Sequence, residues 1–329
     1  MNCTVCVRAE TFESLATRWE AIAASRPGVT VFDTLTWQQT WWEEFGHGAH
    51  LSLMSVCEDA GPAVLIAPMM ARDGCVSFLG GTDLVDYHDF LTADAPQRAH
   101  VEAIFKEITG APACRTIELL SVPGDSPCVQ SVPEIARAAG WQVEVTQEDV
   151  APRMLLPATF DEHVEGLSKK DRHELRRKIR RIESAGAVRD VEFSAPEDIS
   201  AAFGDFLTLH RKSGPQKAEF MTPDRERFFR LVAGKLALKG IARLRFLEFE
   251  GKRVATSLSW VIGGTRYLYN SGYDPEFRDL SVGLINHAYG IRASIAEGIK
   301  IFDFMRGDEP YKYHLGGQDR AIYRIICQR

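Results

Sequence analysis

The 329-residue chain reads as an α/β protein of the α+β kind. Two domains are expected, each a mixed, mainly antiparallel sheet flanked by helices. Three observations predict this. The length leaves room for about two domains. Segments with a period of two alternate with segments of helical period, and Gly-bearing turns join the strands in meanders. The order of segments also repeats weakly, since each half runs through helices, a three-strand meander, a helix and a strand. Two copies of one unit, 1–150 and 151–329, facing across a cleft account for that order, with the polar, Pro-containing segment 147–152 as the boundary.

The first half opens with a strand over 2–8 and an amphipathic helix over 12–24. A helix over 36–46 places Trp37, Trp41 and Phe45 on one face, either as core anchors or with a Trp lining a cleft. Strands follow at 51–57, 63–70 and 75–79, with turns at 59–61 and 72–74. The cluster Asp86, Tyr87, His88, Asp89, Phe90 sits in the next loop. It suits a ligand-facing loop or one held by its own Asx-type bonds. A helix over 96–108, a strand over 116–120, a helix near 132–139 and a strand over 141–145 complete the half.

The second half starts with a short strand at 154–156, and Thr159 caps a helix from Phe160. Ser168 caps a longer helix whose apolar seam is Leu175, Ile179 and Ile182. Lysines and arginines cover the rest of it, either as a solvated face or as an anion site. A strand at 191–194 precedes a helix over 196–212 that carries His210 on its apolar side, as a core histidine or a catalyst. A polar turn, 213–220, and a helix over 223–238 follow. The meander 241–250, 252–262 and 265–271 then leads to a helix over 284–297, stopped by Gly298, and a strand over 299–305.

The formal charge of −6 argues against a general DNA or RNA binder and confines any basic patch to a local one. The seven cysteines are scattered. The lone Cys3–Cys6 pair has no partner pair or histidine for zinc, so no metal is expected. An unpatterned odd count suits a reducing compartment. No signal peptide is legible, and no run reaches the roughly 18 apolar residues of a membrane span. The expected location is the cytoplasm, with surface association left open.

Chemistry concentrates between Tyr267 and Gly317. Arg278, Ser281, Val282, Gly283 and Leu284 form a turn leading into a helix, whose N–H groups and guanidinium suit a phosphate. The following strand carries Asp303 and runs into Arg306, Asp308, Glu309, Tyr311 and Lys312, a polar group of the kind that lines a reaction centre. Asp303 is a carboxylate on an apolar strand, suited to a raised-pKa base or to a buried pair with Arg306. No GxSxG-type nucleophile signature is present.

These features resemble the GNAT-type acyltransferases. The turn RDLSVGL (278–284) is similar to their pyrophosphate loop, with Ser281 where a Gly is usual. More specifically, the chain resembles the two-domain GNAT-like proteins of the CelD/BcsL group, linked to cellulose and exopolysaccharide synthesis and related to Fem-type aminoacyl transferases. The residues that carry this are Trp37 and Trp41, DYHDF (86–90), the basic segment 167–181, LHRK (209–212), GYDPEF (272–277), SVG (281–283) and FDFMRGDEPYKYHLG (302–316). The long helical hairpin that Fem transferases use for tRNA is not evident.

The resemblance implies an acyltransferase that moves an acyl group from acyl-CoA (acetyl-CoA) to an amine or hydroxyl of a glycan or cell-envelope precursor. The alternatives are a Fem-like aminoacyl-tRNA-dependent transferase and a non-catalytic scaffold for a nucleotide-sugar or a synthase. Peripheral association with a membrane or a polysaccharide synthase is compatible with each. Within this reading Asp303, Lys312 and His210 are the catalytic candidates. Lys312 would face the oxyanion, or else pair with Asp308 or Glu309. Arg278 and Ser281 to Leu284 would hold the donor. Trp37, Asp86, Tyr87, His88, Asp89, Arg306 and Tyr311 would contact the acceptor.

Overall fold

The computed structural model describes residues 4–59 and 61–329. Cys3 and Ala60, read above as half of a CxxC and as part of a turn, lie outside the described residues. The chain forms two compact units, one running up to Val150 and regaining Arg320–Arg329, the other Ala151–Asp319.

The first unit contains β1 (Val5–Glu10), α1 (Phe12–Ser25), α2 (Leu35–Phe45), β2 (His50–Glu58), β3 (Ala63–Arg72), β4 (Cys75–Phe78), β5 (Leu91–Thr92), α3 (Arg98–Gly110), β6 (Thr116–Pro123), α4 (Cys128–Ala138) and β7 (Gln142–Val150). To these the C-terminal segment adds β14 (Ala321–Gln328). The sheet runs β1-β2-β3-β4-β6-β14-β7, with β5 on β3. Residues 320–329 were placed with the second domain by the sequence order. Instead β14 enters between β6 and β7, antiparallel to both, and buries Ile322, Ile325 and Cys327 there. Backbone pairing on both edges outweighs nearness in sequence.

The second unit contains β8 (Arg153–Leu155), α5 (Phe160–Gly166), α6 (Lys169–Ala185), β9 (Val188–Phe193), α7 (Pro196–Lys212), α8 (Pro215–Phe220), α9 (Pro223–Ala237), β10 (Ala242–Phe249), β11 (Lys252–Ile262), β12 (Thr265–Tyr273), α10 (Val282–Ala296), β13 (Ile301–Asp303) and α11 (Pro310–His314). Its sheet runs β8-β13-β12-β11-β10-β9. The caps read from the sequence hold: Thr159 and Ser168 accept from Glu162 N and Asp171 N. The polar turn 213–220 differs, because Pro215 at the first helical position starts a short helix there.

The two units repeat one plan. In each, an antiparallel meander is followed by a crossover helix, α3 or α10, and then by a parallel pairing only three residues long, β4 with β6 or β12 with β13. The second unit also buries an ion cluster under α10. Arg245 and Arg266 both hold Glu192 at 2.7 Å, and Arg266 reaches Glu297 at 2.9 Å. Burial opposes the Glu192 charge, but the two guanidinium groups still hold its carboxyl at about 2.

Candidate active site

The short parallel pairing opens the site. Only Thr265, Arg266 and Tyr267 of β12 face β13, through Ile301, Phe302 and Asp303. The strand expected over 299–305 ends at Asp303 because the chain turns away. Phe304 N bonds Pro152 O at 2.9 Å, and Asp303 Oδ1 accepts Met305 N at 2.8 Å, with Met305 at φ 63°. β12 continues to Tyr273, so its outer edge beyond Tyr267 has no strand beside it. A bulge at Tyr269, where Leu258 faces Asn270 but Ser259 faces Leu268, bends this free edge.

Polar side chains from four helices converge on that edge. His210 of α7 brings Nε2 to 3.0 Å from Asn270 Oδ1. A carbonyl oxygen accepts, so Nε2 carries the proton and Nδ1 is the unprotonated nitrogen; it has no partner among the described residues. Burial lowers the His210 pKa to about 4, aided by the charges of Lys217 and Arg211 and opposed by the Asn270 bond. Lys217 of α8 donates to Ser271 O at 2.5 Å. Its burial depresses the ammonium pKa, and Glu309 partly restores it.

His287 of α10 stacks on Tyr311 of α11, with ring centres 4.8 Å apart at 22°. Burial first, then Lys217 and Lys312, pushes the His287 pKa down to about 3. Burial and the Glu309 charge push the Tyr311 phenol well above its ordinary value. At neutral pH His210, His287 and Tyr311 are therefore all uncharged. Lys217 and His287 were not singled out from the sequence. The available signal was Asn286-His287, two polar residues inside an otherwise apolar helix turn.

Lys312 is buried but does not face an open space. Its ammonium donates to the carbonyls of Met305 (3.0 Å), Arg306 (2.7 Å) and Gly307 (3.0 Å), and Glu309 Oε2 lies at 2.8 Å. With its three protons on three carbonyls, Lys312 clamps the 305–309 loop onto α11 instead of presenting a donor to an oxyanion. Of the two readings made from the sequence, the pairing with Glu309 is the one the structure contains.

The head of α10 lies at the far end of the free edge. Arg278 is exposed in the 3-10 turn before it, and Ser281 adopts the left-handed conformation at φ 56° with no side-chain cap bond. The first-turn N–H groups have no intrahelical acceptors. A Cβ on Gly283 would lie 3.4 Å from the ring of Tyr273, the last residue of β12, so the helix head and the strand edge are contiguous.

The expected acceptor residues of the first unit are engaged in its own packing. Trp37 is fully buried, edge-on to Phe32 at 4.9 Å. Tyr87 also packs edge-on to Phe32, under the Arg320 guanidinium. His88 Nδ1 meets Leu120 O at 3.0 Å. Asp89 binds Arg26 at 2.9 Å, with Ser126 and Cys128 at 2.9 and 3.0 Å. Asp86 is half-buried in the same loop. Asp89 closes one Asx-type bond of its own, accepting Phe90 N at 2.8 Å, and its other bonds tie the loop to neighbouring elements. In the second unit, Arg306 offers its backbone carbonyl to Lys312 and Tyr311 stacks on His287.

A meander, a crossover helix with an uncapped head, and a strand pair that parts after three residues together describe a known domain. Residues 169–313 match the acetyltransferase (GNAT) domain family. The whole chain is similar in fold to FemX, at 13% identity and TM-score 0.67, covering 97% of this chain and 96% of that one. It is similar to the C-terminal domain of a putative lysylphosphatidylglycerol synthetase from Agrobacterium fabrum, at 10% identity and TM-score 0.60, covering 96% and 92%. It is also similar to a tandem GNAT protein from the clavulanic acid biosynthesis pathway, at 11% identity and TM-score 0.51, covering 98% of each. No curated protein matched in sequence. At these identities the structural likenesses establish the fold alone, a tandem of GNAT-like units, and the residues that match the family model lie in the second unit. The free β12 edge, the α10 head and the His210–Lys217–His287–Tyr311 group all lie within the matched residues.

Proposed function

We propose that this protein is an acyltransferase that uses an acyl-CoA donor and an amine or hydroxyl acceptor on a polysaccharide or cell-envelope precursor. The observation that carries the reading is the continuous path from the uncapped head of α10 along the free edge of β12 to the group of neutral proton-carrying side chains. A pyrophosphate suits the α10 N–H groups with Arg278 beside them. An extended amide-bearing arm suits an unpaired strand edge, which offers backbone donors and acceptors in a row. The thioester then falls near Asn270, His210, Lys217 and His287.

Acyl transfer requires a proton to leave the acceptor and one to reach the departing sulfur. His210 and His287 are uncharged and Tyr311 keeps its proton, so these groups act by hydrogen bonding and orientation. The burial that shifts them weakens each as a base or acid until ligand and water rearrange around it. Asp303 supports these groups by turning the chain at Met305, and Lys312 by holding the loop that carries Arg306. The resemblance of the motif-bearing segments to the CelD/BcsL group supports a glycan or envelope acceptor.

Thermal shift with acetyl-CoA, longer acyl-CoAs and UDP-sugars tests the donor class. A rise in melting temperature with an acyl-CoA, and release of free thiol when an acceptor is added, is the expected result. Stabilisation by UDP-sugars alone would overturn the reading. Replacing His287 by Phe keeps the ring stack and is expected to lower turnover by about 10²-fold with the melting temperature preserved.

A further inference from the structure

With Lys312 turned inward, the site keeps a second ammonium, Lys217 of α8. We propose that Lys217 meets the negative oxygen that forms when the donor thioester is attacked. This rests on the acyl-CoA reading above and adds to it the residue that faces the reacting carbonyl. The ladder places that residue. Asp274 N bonds Val254 O at 2.8 Å, one step before the pair Ala255–Tyr273. By the alternation of an antiparallel ladder, Ser271 and Tyr273 then point N–H and C=O away from β11, into the free edge. Lys217 Nζ donates to the Ser271 carbonyl at 2.5 Å, so it stands at that edge. An ammonium has three protons. Ser271 O is the one acceptor Lys217 has among the described residues, which leaves two N–H groups open.

The end of α8 is pinned beside the same histidine. Phe220 packs on His210 with ring centres 6.0 Å apart, and the Arg225 guanidinium lies 4.5 Å over the Phe220 ring. After burial, the Lys217 charge is the next cause that lowers both His210 and His287, so it lies within reach of the two imidazoles. Glu309 is taken by Lys312 at 2.8 Å. Attack by the acceptor nitrogen or oxygen forms a bond to the thioester carbon and moves the π pair onto its oxygen. The carbonyl then re-forms as the carbon–sulfur bond breaks, and the thiolate takes the proton lost by the acceptor. Negative charge sits on that oxygen only between these steps. A cation with open N–H groups, beside neutral His210, His287 and Tyr311, stabilises that state more than the uncharged thioester. Lys312 has no proton left for it, since three carbonyls hold them.

Calorimetric titration of the whole protein with CoA and with S-carboxymethyl-CoA, which carries a carboxylate next to the sulfur, tests the assignment. The parent is expected to bind S-carboxymethyl-CoA about 10- to 100-fold more tightly than CoA, the gain from a hydrogen bond between charged groups. Lys217→Met should erase that preference. Lys217→Gln, which retains a donor for Ser271 O but no charge, should erase it too, and carries the comparison where Lys217→Met melts below the parent. A preference as strong in the variants as in the parent, or none in the parent, overturns the assignment while the acyl-CoA reading stands. A parent that binds neither probe overturns both.

Discussion

Gly272 of β12 lies directly against His210 of α7. A Cβ on Gly272 would stand 2.4 Å from His210 Cα and 2.5 Å from Leu209 O. That contact is with backbone, which cannot rotate away. The absent side chain lets α7 sit on the strand closely enough for His210 Nε2 to reach Asn270.

Gly272→Ala should push α7 off β12. Overpacking of this kind destabilises by about 1–3 kcal/mol. Urea denaturation measures it, and an unchanged midpoint would show that α7 shifts freely. Turnover should fall as well, because His210 moves with the helix.

Acidification should destabilise the fold through His210 and His287. Burial lowers their folded pKa values from the ordinary 6.5 to about 4 and about 3. The unfolded chain therefore binds protons first. Stability is whole above about pH 6.5 and declines as the pH falls toward these folded values. Each histidine contributes about 1.4 kcal/mol per pH unit inside its window. Urea midpoints between pH 7 and pH 5 should slope less in His210→Gln than in the parent.

Lys312→Met should act on stability before chemistry. It leaves three carbonyls and Glu309 without their cation, a loss of about 2–4 kcal/mol when the hydrogen bonds to a charged group are weighed against the exposure of Glu309. Melting and turnover measured together separate the roles. A variant with parental melting but turnover down about 10²-fold would return Lys312 to the oxyanion.

Ser281→Gly should stabilise the protein. Ser281 holds φ 56°, where a Cβ is strained by about 1 kcal/mol and Gly is not. A gain of about 0.5 kcal/mol is expected after the extra freedom of Gly in the unfolded chain. Donor affinity should be unchanged, because the groups assigned to the pyrophosphate are backbone N–H. Titration with acetyl-CoA checks this, and a large change in affinity would give the Ser281 hydroxyl a role of its own.

The elements of the second unit were legible because each is punctuated locally. Thr159, Ser168 and Pro196 mark helix starts, and Glu250-Gly251 and Gly263-Gly264 mark the strand reversals. These signals are short-range, set by caps and turn conformations, and need no tertiary partner. The polar stretch 303–312 stood out for a similar reason, as charge beside an apolar strand.

What the sequence determined by itself was the α+β class, the repeated meander and the positions of most elements. Tertiary structure alone decided three things. It placed residues 320–329 in the first unit, because strand pairing depends on free edges and not on sequence distance. It turned Lys312 inward onto Met305, Arg306 and Gly307, because a buried ammonium must satisfy all its protons. It also gathered Lys217, His210, His287 and Tyr311, from four helices, at one strand edge. Such convergence has no period or spacing in the chain, because it arises only when helices pack across a sheet whose strands part.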